Sequence, residues 1–340
     1  MLNESLLDST LAYYVDLQRL SEGARRFAVK SLTDMQKELI GQLSDINADP
    51  IRIQQQIKEA QAVIKRYYDD IGQNSESMTS GIAQSSASET ASALMAATGQ
   101  QVTAGLLPTN AMLEAIASDS IIEGATQKEW WSRQSVDTAW RYQTQIRQGM
   151  VNGESLNKLV ARVKDVVGVS ERNAEALVRT SYVTVANEAR QATYEANSDV
   201  IKGKEWVAAL DVRTCPLCAI RDGKQWTLDG KPIGHSIPFQ APPIHFNDRC
   251  TMVAVTKTPE ELGIDLGELP PKLRASATGV TADKTFDAWL KRQPKDKIEE
   301  VLGKGRAELW MNGKVTFDQL FKNGKPISTK ELLDKYTKPS

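Results

Sequence analysis

Residues 211–226 read DVRTCPLCAIRDGKQW. Cys215 and Cys218 stand three apart, and the Asp222-Gly223 pair turns the chain four residues after the second cysteine. Before this stretch, KEWVAAL (204–210) has the apolar and β-branched character of a strand, and after it KQWTL (224–228) and CTMVAVTK (250–257) do the same. The cysteines therefore sit in a small β-rich module, whereas almost everything else in the chain is periodic at helical spacing. The fold class that follows is α+β and predominantly α-helical: a long helical N-terminal region, a small β-rich Cys/His module and a helical C-terminal lobe.

The run PPIHFNDRC (242–250) supplies His245 and Cys250, so the order is C-x2-C, 26 residues, then H-x4-C, in a chain with three cysteines and two histidines. Cys215, Cys218, His245 and Cys250 are thus the candidate metal ligands. Thiolate and imidazole in two close pairs suit tetrahedral Zn2+, and four protein ligands leave no open position, so the ion's role would be structural. Three other readings stay open. A thioredoxin-like redox pair also writes C-P-x-C, but it needs a helix starting at the first cysteine, which Asp222-Gly223 curtails. A Cys–His nucleophile lacks an identifiable oxyanion-hole motif. The cysteines can also pack as small hydrophobes, or one pair can oxidise in an extracellular particle. His235, in a loop beside Gly234, is a reserve ligand.

Working outward, residues 1–72 read as a helical hairpin arm: Leu32, Met35, Leu39, Leu43 and Ile46, then Ile53, Ile57, Ala60, Ile64, Tyr67 and Ile71, recur at intervals of mostly 3 and 4. Asp49 is placed to cap the second helix, with Pro50 at its first position. Residues 73–110, rich in Ser, Ala, Thr, Gly and Gln, read as a flexible or partner-ordered connector whose Ala-rich part, 87–98, is helical where it packs. Residues 111–200 form a helical part, broken at Gly149 and Asn152-Gly153, with a further helix capped by Ser170. Trp130, Trp131 and Trp140 beside Arg133, Arg141 and Arg147 fit core or interface anchors, or a base-stacking surface. The stripe Thr180, Thr184, Asn187 and Gln191 reads as a wet surface or, alternatively, as a face turned to a neighbouring element. The β-rich module spans 201–256, a Pro/Gly-rich linker 257–284, and a basic helical lobe 285–340. Over 271–340 there are 15 Lys+Arg against 9 Asp+Glu.

With 41% hydrophobic and 25% charged residues and a formal net charge of −1, the 340-residue chain has a soluble protein's composition and no bulk charge toward nucleic acid. No apolar run reaches the roughly 18 residues of a membrane span. The opening MLNESLLDST has no signal-peptide character, which gives the expectation of a reducing cytoplasm.

The run EWVAALDVRTCPLCAIRDGKQW followed by PPIHFNDRC resembles the signature of phage head-morphogenesis proteins, the minor head proteins typified by the F protein of phage Mu. Trp206, Asp211, Cys215, Cys218, Asp222, Gly223, Pro242, Pro243, His245, Arg249 and Cys250 fall on it. Arg179, Thr180, Asn187 and Arg190 upstream, and Trp289, Gln293, Pro294, Leu302, Gly303, Arg306 and Gly313 downstream, extend the resemblance over about 115–335. Asp248 stands where the family's H-x-x-C-R-C run has a cysteine, and the N-terminal 110 residues have no counterpart.

The resemblance implies a non-enzymatic, low-copy structural protein of the virion. It would sit at the capsid interior and portal vertex, and in the host cytoplasm during assembly. Implied partners are the portal protein, the major capsid or scaffolding protein, and packaged double-stranded DNA held without sequence specificity. Implied roles are head assembly, DNA packaging or genome delivery. Two readings of other classes remain: a toxin, effector or other enzyme built on the same module, and a zinc-stabilised DNA-binding protein. No phosphate-cradling loop, H-E-x-x-H or nucleophile elbow is present for the former, and no basic recognition helix adjoins the cysteines for the latter.

Overall fold

A computed structural model of the chain describes residues 2–43, 50–98, 106–257, 261, 274–276, 279–281 and 285–336. The fold is predominantly helical with small antiparallel sheets, as the sequence predicts. It divides into two compact units: residues 1–14, 86–108 and 189–340 in one, residues 15–85 and 109–188 in the other. No helix among the described residues is long and apolar enough to cross a membrane.

The second unit is helical. Helix α1 (Leu2–Leu43) buries Leu32, Met35, Leu39 and Leu43, and α2 (Pro50–Thr98) buries Ile57, Ala60, Ile64 and Ile71, as their spacing requires. Tyr68 takes the buried place expected of Tyr67, whose hydroxyl instead donates to Glu38. Pro50 opens α2; Asp49 lies outside the described residues. After α3 (Asn110–Asp119), helix α4 (Gln127–Val151) starts at a capping box in which Thr126 and Glu129 satisfy each other's backbone N–H.

Helix α5 (Leu156–Ala196) corrects one boundary. It runs unbroken through Ser170, which is not a cap but a fully buried mid-helix residue. Its hydroxyl bonds Val166 O and the Thr138 hydroxyl, which in turn meets Tyr68 Oη at 2.9 Å. A serine satisfied from one turn back does not end a helix. Thr180 and Thr184 likewise bond the carbonyls four residues earlier, and with Asn187 they are buried, so that stripe is not a wet surface.

A second correction concerns 73–110. The helix expected over 87–98 is present, but 73–86, expected as flexible connector, is helical too, so α2 runs unbroken to Thr98; 99–105 lie outside the described residues. Small side chains at Ser75, Thr79, Ala83, Ser86, Ala87, Thr90 and Ala91, together with Leu94, are buried at helical spacing. The hydroxyls of Thr90 and Thr98 bond the carbonyls of Ser86 and Leu94. Ser86 also meets Tyr13 Oη at 2.7 Å.

The first unit carries the β-rich module. Strand β3 (Ile201–Val207) is central in a four-stranded antiparallel sheet, between β6 (Thr251–Thr256) and β4 (Gln225–Trp226), with β5 (Pro232–Ile233) outside β4. Two-residue hairpins β1/β2 (Ile121–Ile122, Ala125–Thr126), in the helical unit, and β9/β10 (Phe321–Lys322, Lys325–Pro326), in this one, are separate, as is β7/β8 (Arg274–Ser276, Gly279–Thr281). Gly203 is dictated by the sheet: a Cβ there would lie 2.6 Å from Trp226 O. Every residue of β6 is buried.

Trp206 and Trp226 share one core with Phe286, Trp289, Leu302, Trp310, Phe317 and Leu332 of the C-terminal lobe. Its helices are α7 (Phe286–Leu290), α8 (Lys295–Leu302), α9 (Lys304–Met311) and α10 (Thr329–Tyr336). The single helix expected near 295–311 is split at Gly303, whose φ of 76° breaks the helical run.

Candidate metal centre

The loop after β3 is shaped before any ligand is considered. Asp222 is buried and accepts from Ala208 N and from Phe286 N, both at 2.7 Å, so one carboxylate holds the end of β3 and the first turn of α7. Gly223, at φ 72°, donates to Trp206 O, and Trp206 N to Lys224 O. Asp211 forms a fork-to-fork pair with Arg249. Burial opposes ionisation of Asp211, but the guanidinium outweighs it and holds the carboxyl below its ordinary range. The Asp211–Arg249 pair ties the start of the run 211–218 to the end of the run 245–250.

Cys215 caps a single helical turn, α6 (Pro216–Ala219), and its sulfur accepts from Cys218 N at 3.4 Å. A helix therefore does start at the first cysteine, though it lasts only four residues. His245 Nε2 lies 3.1 Å from Cys215 Sγ and 3.5 Å from Cys218 Sγ. Its Nδ1 is engaged by Phe246 O at 2.9 Å, which leaves Nε2 as the nitrogen turned to the sulfurs.

Cys215, Cys218 and His245 thus form one group whose ligand atoms all lie within 4.8 Å of one another. Neither Cys250 nor Asp248 joins that group; with Cys218 they form a second, in which all three residues are buried. Asp248 is the residue the expected ligand set lacks. Its Oδ1 is 3.5 Å from Cys218 Sγ. No spacing rule singles out this carboxylate, and its only mark in the sequence is the place it takes in the H-x-x-C-R-C run.

The hydrogen bond from Cys218 is the main influence that brings the Cys215 thiol down to about 4, and the same bond raises Cys218. His245 is pushed up to about 9, chiefly by its bond to Cys215. Cys250 is pushed up to about 12 by burial. Two thiols with an imidazole whose Nε2 edge faces both sulfurs are a donor set that suits a soft or borderline divalent metal. The residues present therefore fit the ion that the cysteine spacing suggests.

His235 is committed elsewhere. Its Nε2 engages Gln225 O at 2.8 Å, its Nδ1 accepts from Ile237 N at 3.1 Å, and its ring stands edge-on to Trp226. The tryptophans divide. Trp131 is buried, Trp130 donates to Ile122 O with Arg133 over its ring, and Trp140 is 64% exposed.

Other residues singled out in the sequence are architectural. Arg190 is buried, bonds Thr251 and lies over the Tyr13 ring. Arg306 donates to Leu302 O and Ile327 O. The Pro242-Pro243 bond is cis.

Residues 141–253 match the family model described as "Phage Mu protein F like protein". This bears out the resemblance over about a third of the chain, a shorter span than the 115–335 read from the sequence. Among curated proteins and among solved structures nothing matches.

Proposed function

We propose that this chain is a minor head-morphogenesis protein that binds the portal and the capsid interior during head assembly and assists DNA packaging or genome delivery. The observation that supports this reading is the family match over 141–253, which takes in most of the Cys/His module and the long helix before it. It is a structural role, supported by the carboxylates on the family pattern, which tie segments of the chain together. Asp222 spans two segments, and Asp211 and Arg249 close the ligand loop.

Cys215, Cys218 and His245 would hold a Zn2+ ion, with a further donor from the Cys250 and Asp248 pair beside Cys218. The ion would supply a cross-link between the two ligand loops and no reactive position. The C-terminal lobe carries Lys304, Lys314, Lys322 and Lys325 on its surface, where contacts to packaged DNA would be sequence-independent and salt-sensitive.

The test is co-purification of the tagged chain with the portal subunit, together with protein identification in purified procapsids and virions. Recovery with the portal and presence in both particles is expected. Absence from both particles would overturn the assignment.

A further inference from the structure

The ligand set proposed above leaves its fourth member open between Cys250 and Asp248, and the backbone distinguishes them. Cys215 and Cys218 flank a tight turn in which Cys218 N donates to Cys215 O at 3.1 Å. His245 and Asp248 flank a turn of the same span, with Asp248 N donating to His245 O at 3.1 Å and Asn247 in the left-handed region at φ 63°. Two first-and-fourth pairs, each closed by its own hydrogen bond, are how a chain presents two donors side by side. Cys250 lies beyond the second turn, at the threshold of the fully buried strand β6.

The surroundings of Asp248 favour it as well. The residue is only 3% exposed. Oδ2 accepts from Ile244 N at 2.8 Å, and Oδ1 accepts from Cys250 N at 2.9 Å while lying 3.5 Å from Cys218 Sγ. A carboxylate has about four acceptor sites, so two backbone donors leave capacity on the oxygen that faces the sulfur. The adjacent guanidinium, Arg249, is engaged by Asp211. A buried carboxylate among thiols is costly unless a cation sits with it.

We propose that Asp248, and not Cys250, is the fourth protein ligand, so that the site consists of the two thiolates of Cys215 and Cys218, the His245 imidazole and the Asp248 carboxylate. This rests on the metal-site reading given above. Cys250 then stays a thiol packed against the site.

Cobalt(II) added to the reduced, metal-free full chain tests it, because the sulfur-to-cobalt charge-transfer absorption scales with the number of coordinated thiolates. Wild type is expected to show two thiolates. Cys250→Ser should keep both intensity and affinity. Asp248→Cys should raise the intensity by about half, from two thiolates to three. Asp248→Ala should weaken binding by at least the roughly 10–100-fold that loss of a supporting group costs. Far-UV circular dichroism shows which variants are folded, and Cys250→Ser decides the question even if the Asp248 variants are not. A loss of about a third of the intensity in folded Cys250→Ser would by itself overturn the assignment, and Asp248→Ala, if folded, binding as tightly as wild type would do the same. Failure of wild type to take up cobalt or zinc at all would instead overturn the metal-site reading on which it rests.

Discussion

Removing the Asp222 carboxylate is the sharpest test of how the first unit is held together. The side chain is buried and accepts two backbone N–H groups at 2.7 Å, from Ala208 at the end of β3 and from Phe286 at the start of α7. Hydrogen bonds to a charged acceptor contribute roughly 1.5–3 kcal/mol each, and a buried donor left unpaired costs a similar amount. Asp222→Ala should therefore lose about 3–5 kcal/mol. At about 2–4 °C per kcal/mol for a unit of this size, Tm falls by roughly 6–20 °C. Asp222→Asn, which keeps one acceptor, should lose about half as much. Urea unfolding gives the free energy, and amide hydrogen exchange gives its location: protection should drop first at Ala208 and Phe286. A loss under about 1 kcal/mol, with the Phe286 amide as protected as in wild type, would refute the claim that this carboxylate joins the two segments.

Gly203→Ala places a Cβ 2.6 Å from a backbone carbonyl that cannot withdraw without disturbing the Lys204 to Trp226 pairing, so a loss at or above about 1–3 kcal/mol is expected in denaturant titration. His235 supplies a pH dependence. Burial above all, with Lys224 adding to it and against the opposing pull of Gln225 O and Asp318, lowers its pKa, so on acidification the unfolded chain takes up the proton first. Its contribution is complete above the unfolded value near 6.5 and is lost as pH falls toward the folded one. Wild type should therefore lose more stability between about pH 8 and pH 5 than His235→Phe, and the opposite ordering would contradict the bonding described for this ring. Chelation of protein purified without added metal should release about one zinc per chain and expose thiols to titration. The β3 to β6 pairing should remain protected from exchange throughout.

Thr251–Thr256 is legible because it is rich in β-branched residues, whereas the strand read at 204–210 lies three residues earlier, at Ile201–Val207; the first two helices are legible because Leu32, Met35, Leu39 and Leu43 repeat at helical spacing, as do Ile57, Ala60, Ile64 and Ile71. What misled was chemistry that changes meaning on burial. The Ser/Ala/Thr stretch after residue 73 lacks bulky apolar groups and so reads as a connector, helical only where its Ala-rich part packs. Yet small side chains pack where Ser75, Thr79 and Ser86 are buried, and a hydroxyl can return its hydrogen bond to the preceding turn, as Thr90 and Thr98 do. The same property hid Ser170 inside α5 and turned the Thr180 and Thr184 stripe inward. Asp248 is visible in the sequence only as a missing cysteine. A carboxylate in a run of thiol and imidazole donors registers as a departure until the fold shows its oxygen beside Cys218.

The way the candidate centre is built limits what a metal can contribute. In small zinc modules the ion stands in for a core that the chain is too short to form, and its binding free energy is largely the folding free energy. Here the sheet beneath the cysteines rests on Trp206 and Trp226, both fully buried, and shares its core with Phe286, Trp289 and Leu302. The ligand loops are tied independently of any ion, by Arg249 to Asp211 and by Asp222 to two backbone amides. Such an ion has little folding left to drive. An ion held there would act on the loops that carry its ligands and would fix the geometry of a surface that the rest of the unit already supports. The energy of the module therefore lies mainly in its tryptophans and carboxylates, and the thiols set the shape of one loop pair.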